Sequence, residues 1–427
     1  MSLKTTMLQS ESVPGLRWQL PSILLVTVLI SYFDRMNITY AIGKIGAEYG
    51  WSTKQIGQYG GLLMSIFYVG YGLANMLLSP LGAKFGPKKS LMVIIVLFSF
   101  FTVLSAPVAM IFTLFVAVRI CLGLSEGIHF PMLNILIRNW FPVHERSRAN
   151  SIWLLGLFLS MVLAPFLVVP IIEYLGWRAM FYILGFVGVI VSVPFIYWFV
   201  YNTPEEHPKL SQKESNYIKS GMEVDDPPVK SVWSGYKSFF KKKAYWIAIL
   251  AGISNNMVAF GLLSWLPTFF TEGKGIPFTS LTWATSIPYS LSLVGILLWS
   301  YVGDKTNKRA YLAGLGFLGA GIAAYFATTA ANIYLAVAIF TVTIFIKVTY
   351  ASNEFAIMQR IVPKQSLAAG VGFYNGFTMM LGGGLGPVII GQVLAATGSY
   401  TSAILSITFL CAVGGVFMFI LGKTIKY

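Results

Sequence analysis

Ser79-Pro-Leu-Gly-Ala-Lys84 returns 221 residues later as Ser300-Tyr-Val-Gly-Asp-Lys305. Each copy ends an apolar run and opens a short charged turn. Ala164-Pro165 and Gly386-Pro387 recur at an offset of 222, and Met36 answers Met257 at 221. Short matches are cheap in apolar sequence. A shared offset from separate segments argues for a duplicated unit, the arrangement found in many secondary carriers.

Around these markers the chain is unusually apolar. Of 427 residues, 56% are hydrophobic and 11% charged, and mean hydropathy is +0.73. Soluble domains carry about 25% charged residues. The composition excludes a disordered chain, a small disulfide scaffold and almost any soluble enzyme. A membrane helix needs about 20 mostly apolar residues. Twelve runs satisfy this, at 18–43, 56–82, 89–107, 109–139, 147–174, 177–202, 243–270, 280–303, 309–330, 332–361, 366–396 and 400–423. The first run carries Asp34 and Arg35 and lacks a small-residue cleavage site, so it reads as a retained helix. The stretch from about Asn202 to Lys243 holds Pro204, Pro208, Pro227 and Pro228, eight lysines and six acids. It reads as a solvated linker with room for a short amphipathic helix. The expected architecture is an all-α membrane protein of 12 helices in two six-helix, pseudo-symmetric halves, 1–202 and 243–427, joined by 203–242.

The net charge of +15 is then a topology signal rather than a nucleic-acid footprint. With both termini cytoplasmic, 23 of the 30 Lys and Arg residues face the cytoplasm. Only Lys44, Lys54, Arg178 and Lys274 face the other side, which fits the positive-inside rule. Cys121 and Cys411 lie apart in apolar runs and imply no disulfide framework. Three scattered histidines give no metal-ligand spacing. No cofactor is expected, and the absence of a Walker motif points to an ion gradient as the energy source.

Family likeness rests on particular segments. Ser79 to Leu91 and Ser300 to Arg309 resemble the 2–3 and 8–9 loop signatures of the major facilitator superfamily. Ala83 stands where the first copy usually has Asp; Asp304 keeps it in the second. Tyr32-Phe-Asp-Arg-Met-Asn37 resembles the anion:cation symporter branch. So do Arg119-Ile-Cys-Leu-Gly-Leu-Ser-Glu126, Phe130-Pro131 and the Trp140 to Arg146 stretch. That resemblance implies the major facilitator fold, a substrate such as a sugar acid, hexuronate or sialic acid, coupling to protons and function as a monomer.

Charges buried in a membrane cost about 2.5–3.5 kcal/mol each on insertion scales, so they are functional by default. Here they are Asp34, Arg35, Arg119, Glu126, Lys347 and Glu354, with His129 beside them. Arg119 and Glu126 are seven apart and share a helix face about 10 Å apart, as do Lys347 and Glu354. At the repeat offset Glu126 corresponds to Lys347, and Asp34–Arg35 to Asn255–Asn256. Superposed halves would set an acidic N-half against a polar and basic C-half. An anion carrier needs fixed positive charge and an acid that exchanges a proton. Arg35 is the expected anchor, because its planar fork suits a carboxylate. Asp34 and Glu126 are the expected proton sites, with substrate competing for the same arginine. The plainer readings are structural: an Asp34–Arg35 ion pair with another helix, an Arg119–Glu126 gating pair, Lys347 snorkelling, a Glu354–Arg360 pair, and His129 satisfied by backbone carbonyls freed at Phe130-Pro131.

Other substrate contacts follow from residue type and resemblance. Tyr32 lies near Asp34 on a neighbouring face. Tyr71, Ser352 and Asn375 match the branch's contact positions. Leu157 and Phe355 depart from positions that can carry an amide and an aromatic contact, pointing to a less hydroxylated substrate. Lys347 is unexpected for a simple monocarboxylate and could meet a second anionic group. The glycines from Gly382 to Gly386 serve close helix approach and bending. The overall expectation is a proton-coupled importer of a small organic anion by alternating access. The rivals are an organophosphate–phosphate antiporter and a transporter-like sensor, for which no long additional domain is seen; an enzyme is not expected. The short first loop fits a bacterial inner membrane.

Overall fold

The computed structural model describes residues 15–222, 237–363 and 366–425. Lys4, Lys230, Lys364 and Lys426 of the charge count, and Pro227 and Pro228 of the linker, lie outside the described residues. Among the described residues twelve helices are long and apolar enough to cross a membrane. In order they are α1 (Leu16–Glu48), α2 (Thr53–Leu77), α3 (Pro87–Val108), α4 (Phe112–Trp140), α5 (Val143–Leu175), α6 (Trp177–Phe199), α7 (Lys243–Gly273), α8 (Phe278–Thr306), α9 (Arg309–Thr329), α10 (Ile333–Ile361), α11 (Ala369–Thr397) and α12 (Tyr400–Thr424). An even number of crossings separates the start of α1, the α6–α7 connection and the end of α12. These lie on one membrane face, here the terminal face; the opposite one is the far face.

Local chemistry sets the helix ends. At the start of α2 Ser52 and Gln55 form a reciprocal capping box. Asn332 caps α10 by accepting the Tyr334 N–H at 2.8 Å. Ser399 caps α12 by accepting the Ser402 N–H at 3.2 Å. α11 stops at Gly398, whose φ of +65° suits a residue without Cβ. The sequence placed the second span's end at 82. The helix stops at Leu77, and Ser79–Phe85 forms a separate short helix with Pro80 in its first turn.

Glycines let helices meet backbone to backbone. A Cβ on Gly123 of α4 would collide with the Phe67 carbonyl of α2, and one on Gly70 of α2 with the Ile120 carbonyl of α4. The contact of α2 with α11 joins the two halves. Gly57 sits against Gly391, Gly61 against the Pro387 carbonyl, and Gly72 and Met76 against the Gly376 region. α11 takes a wide π-type turn at Met379–Gly383, and Gly383 there sits against the ring of Tyr68. π-turns of this sort are commonly found at functional bends.

At the far face, α8 is tied to both α1 and α5. Tyr40 Oη and Thr285 Oγ1 are 3.1 Å apart, Ser286 Oγ donates to the Val162 carbonyl at 2.7 Å, and Lys44 Nζ lies 4.7 Å from the Phe278 ring centre. A cavity of about 270 Å³ remains beside these ties, lined in part by Thr39, Lys44, Thr268 and Glu272.

At the terminal face the expected amphipathic segment is the helix Gln212–Ser220. It docks through a fully buried Glu214, which accepts from Arg17 Nη1 at 3.0 Å and from the Arg17 backbone N–H at 3.1 Å. Arg17 also grips Glu145 through Nε and Nη2 at 2.8 and 2.9 Å. One arginine thus binds the start of α1, the start of α5 and the linker together.

Candidate functional site

The intramembrane charges gather where α1 faces α4. Helix α4 breaks at Gly127–Ile128, leaving Glu126 as the last residue of its first segment and His129 as the first of its second. The break frees backbone carbonyls, and Asn75 Nδ2 of α2 donates to that of Gly127 at 3.1 Å. His129 does not use those carbonyls. Its Nε2 lies 3.3 Å from Thr27 Oγ1, and its Nδ1 has no partner.

Arg35 is the centre of the cluster. It donates to Glu126 Oε2 from Nη2 at 3.0 Å and from Nε at 3.3 Å. Nη1 donates to Tyr32 Oη at 3.0 Å. The guanidinium lies 4.3 Å from the Tyr32 ring centre, 4.7 Å from that of Tyr71 and 5.2 Å from that of Phe67. These rings supply the cation–π contacts that suit an arginine removed from water. Ser31 Oγ donates to the other Glu126 oxygen. Three of the guanidinium's five N–H donors are therefore committed among the described residues.

Asp34 points elsewhere. It accepts from Thr102 Oγ1 of α3 at 2.6 Å and from Asn37 Nδ2 at 3.1 Å, with no cation in ion-pair reach among the described residues. The Asp34–Arg35 stretch thus does not act as an ion pair with one other helix: Arg35 pairs with α4 while Asp34 is held by neutral donors. Arg119 and Glu126 share a face, as their spacing requires, but they do not pair. Arg119 Nε donates to the Leu63 carbonyl at 3.2 Å, its guanidinium lies 5.3 Å from the Phe67 ring centre, and Nη1 is unpartnered.

The C-half positions are sparser. Asn255 Nδ2 donates to Asn256 Oδ1 at 3.2 Å, and Asn255 Oδ1 has no partner. Lys347 is buried, with no hydrogen bond or ion pair among the described residues; its ammonium is influenced electrostatically by Cys411 and Glu354. Glu354 accepts from Tyr374 Oη at 2.7 Å, whereas Arg360 reaches Asn307; the Glu354–Arg360 pairing is not made. Ser352 Oγ donates to its own helix, to the Thr349 carbonyl at 3.0 Å. Asn375 is half-buried. Tyr71 Oη is buried without a partner.

The structure therefore brings Tyr32, Arg35, Tyr71 and Glu126 into direct contact, sets Arg119 and Asp34 beside them, and leaves Lys347 and the asparagines on the other half. The halves meet here through Tyr68, whose ring centre is 4.5 Å from that of Phe260 of α7. Ser31, Phe67, Tyr68 and Thr102 escaped the sequence reading. Ser31 was legible, since it lies four residues before Arg35 on one helix face. Thr102 was not, because nothing in an apolar span marks which hydroxyl meets another helix.

Twelve spans in two halves, with buried charge concentrated at mid-membrane, define a multi-pass membrane protein of the carrier type. The chain belongs to the major facilitator superfamily: the family's model matches residues 24–387 and again 270–425. It is 29% identical over 314 residues to the chloroplastic ascorbate transporter of Arabidopsis thaliana, a match covering 71% of this chain and 56% of that protein. The chain thus spans little more than half the length of that plant relative. It is 26% identical over 399 residues to the probable L-galactonate transporter of Escherichia coli, covering 90% of this chain and 84% of that one. Among solved structures, a bacterial homologue of the human lysosomal transporter Spinster superposes with a TM-score of 0.80 at 16% identity, over 97% of this chain and 98% of that one.

Proposed function

We propose that the protein carries a small organic anion across the membrane together with protons, by alternating access. The observation that carries this reading is Arg35: a buried guanidinium, walled by three aromatic rings, with three N–H groups committed among the described residues and a competing carboxylate already on one edge. A substrate carboxylate entering the fork makes parallel charge-assisted bonds. It displaces Glu126, which is left without its cation in a medium where an unpaired charge is costly. A proton on Glu126 removes that cost, and this is the coupling. Asp34, held by neutral donors, is the second proton site. Arg119 contributes positive potential one or two turns away, and Tyr32 and Tyr71 wall the anion. Asn255, Asn256, Lys347, Ser352, Asn375 and His129 complete the path from the other helices.

The relatives' printed substrates, ascorbate and L-galactonate, are both carbohydrate-derived acids, which supports a sugar acid or similar carboxylate as cargo. The charge asymmetry between the two faces supports cytoplasmic termini, and the bacterial relative supports an inner membrane. We read 1–202 and 243–427 as the moving halves, 203–242 as their linker and the monomer as the working unit. A second reading, exchange of one anion for another, is favoured by the ammonium of Lys347, which has no ion-pair partner among the described residues and could hold a second anionic group.

Purified protein in liposomes tests both readings. Uptake of labelled hexonates, hexuronates, dicarboxylates and phosphonates is followed under an inward pH gradient, with Arg35→Ala as control. Gradient-stimulated uptake of one class, lost in the variant, supports symport. Uptake that needs preloaded internal anion and ignores the gradient supports exchange. No uptake of any class overturns the carrier reading.

A further inference from the structure

On the C-half, α10 carries a carboxyl outside the Arg35 cluster. Glu354 lies in a narrow crevice lined by Ala248 of α7, Tyr350 of α10, Tyr374 of α11, and Met418 and Leu421 of α12. Among the described residues its one hydrogen-bond partner is Tyr374, whose Oη donates at 2.7 Å. Tyr374 has one proton to donate, and it is spent on Glu354. The 2.6 Å contact between Tyr350 Oη and Tyr374 Oη is therefore a bond donated by Tyr350. The result is a directed chain from Tyr350 through Tyr374 to the carboxyl.

Among the described residues no cation lies within ion-pair reach of that chain; Arg360, six residues further along α10, reaches Asn307 instead. On α10 itself, Lys347 is two turns away, about 10 Å along the axis. α7 offers Ala248, and Tyr245 one turn before it is spent on the Gly370 carbonyl at 2.7 Å. α12 offers Met418 and Leu421, with Cys411 further up beside Lys347. Tyr350 and Tyr374 are 3% and 1% exposed, whereas Glu354 keeps partial exposure. An ionised carboxylate here has one neutral donor and no positive charge, in a span where an unpaired charge is costly. A carboxyl that gains and loses a proton meets both conditions: the tyrosine chain steadies it when charged, and protonation neutralises it.

Depth along the helices gives the site its place. α4 and α10 both run from the far face to the terminal face. Glu126 and Lys347 each lie about 21 Å along their helices from the far end. Glu354 is about 10 Å nearer the terminal face. Arg119 is the same step nearer the far face. Arg119, Glu126, Lys347 and Glu354 thus form a staircase through the membrane, with Glu354 as the carboxyl nearest the terminal face and the basic last turns of α4 and α10, at Arg138 and Arg360, beyond it.

We propose that Glu354, Tyr374 and Tyr350 form a proton-binding site of the C-half, separate from the Asp34 and Glu126 carboxyls and exchanging its proton with water towards the terminal face. The site requires neither a bound anion nor transport, so it stands or falls apart from the reading of the Arg35 cluster.

Infrared difference spectroscopy of the reconstituted full chain, titrated with pH in the absence of any substrate, is the test. A protonated-carboxyl band is expected in the wild type that Glu354→Gln removes and that the Asp34→Asn/Glu126→Gln double variant retains. Tyr374→Phe should keep the band and move it to higher frequency, because the carboxyl loses its hydrogen bond from the phenol. Should Glu354→Gln be poorly folded, the Tyr374→Phe shift decides alone. A titration spectrum unchanged by Glu354→Gln, or a band that Tyr374→Phe leaves in place, would overturn the proposal.

Discussion

Glu126→Gln tests the coupling at its hinge. The amide keeps one oxygen for Arg35 and turns its NH2 to Ser31 Oγ, which then accepts instead of donating; it cannot carry charge or take up a proton. A hydrogen bond to a charged group contributes about 1.5–3 kcal/mol, and a neutral one about 0.5–1.5. Of the two Arg35–Glu126 bonds, the one at 3.0 Å is well formed and the one at 3.3 Å is long. Counting only the first, the competitor's hold on Arg35 falls by about 1.4 kcal/mol, a factor of about ten in anion affinity. The sign with pH follows by linkage. If anion binding loads a proton onto Glu126, the bound state holds more protons, and wild-type affinity rises as pH falls. In Glu126→Gln that dependence flattens, and the tenfold gain appears on the alkaline side. Binding of a hexonate to purified protein, followed by calorimetry across the neutral range, reads both effects. In liposomes the variant should still exchange labelled for unlabelled anion but no longer accumulate it under a pH gradient. Weaker binding in the variant, or accumulation that still follows the gradient, would refute the reasoning.

Other expectations concern packing and docking. Gly123→Ala should lower stability by about 1–3 kcal/mol through overpacking, because the new methyl meets the Phe67 backbone. Gly372→Ala, on α11 with nothing within 4 Å of its added Cβ, should be neutral or gain up to about 1 kcal/mol in helix propensity; melting in detergent distinguishes the two. Glu214→Ala leaves part of the Arg17 charge uncompensated, a loss of about 3–5 kcal/mol for a buried pair, and should release the linker helix to limited proteolysis well before the membrane helices. Tyr40→Phe removes one far-face tie of about 1 kcal/mol, roughly a fivefold shift in the opening equilibrium. The readout is faster thiol labelling of an Ala47→Cys reporter in the far-face cavity, and an unchanged rate would show that this tie carries no closure.

The fold was legible because membrane physics leaves little choice. Each lipid-crossing segment must satisfy its backbone internally, so apolar length alone fixed twelve helices, with ends that moved by a few residues. Where a helix ended furthest short of its apolar run, at Leu77, the cause was Pro80, which suits the first turn of a new helix better than the interior of an old one. The site was legible to one residue type at a time. Buried charge in a span is conspicuous, so Asp34, Arg35, Arg119, Glu126, Lys347 and Glu354 all stood out. Their pairings did not. Helical spacing put Arg119 beside Glu126, yet seven residues leave them about 10 Å apart, beyond ion-pair distance, while the break at Gly127 and the small Ser31 let Arg35 reach Glu126 from α1. The same arithmetic explains why the offset that matches Glu126 to Lys347 did not match their surroundings. Repeat symmetry conserves depth, but partner choice depends on the neighbouring helix. α1 brings an arginine to Glu126, whereas α7 brings the neutral Asn255 and Asn256 at the corresponding register. A duplicated scaffold thus carries an ionic pair in one half and an unpaired lysine in the other. On the proposed carrier reading, that difference would offer an anion two unequal places to bind, on either side of the glycine contacts between α2 and α11.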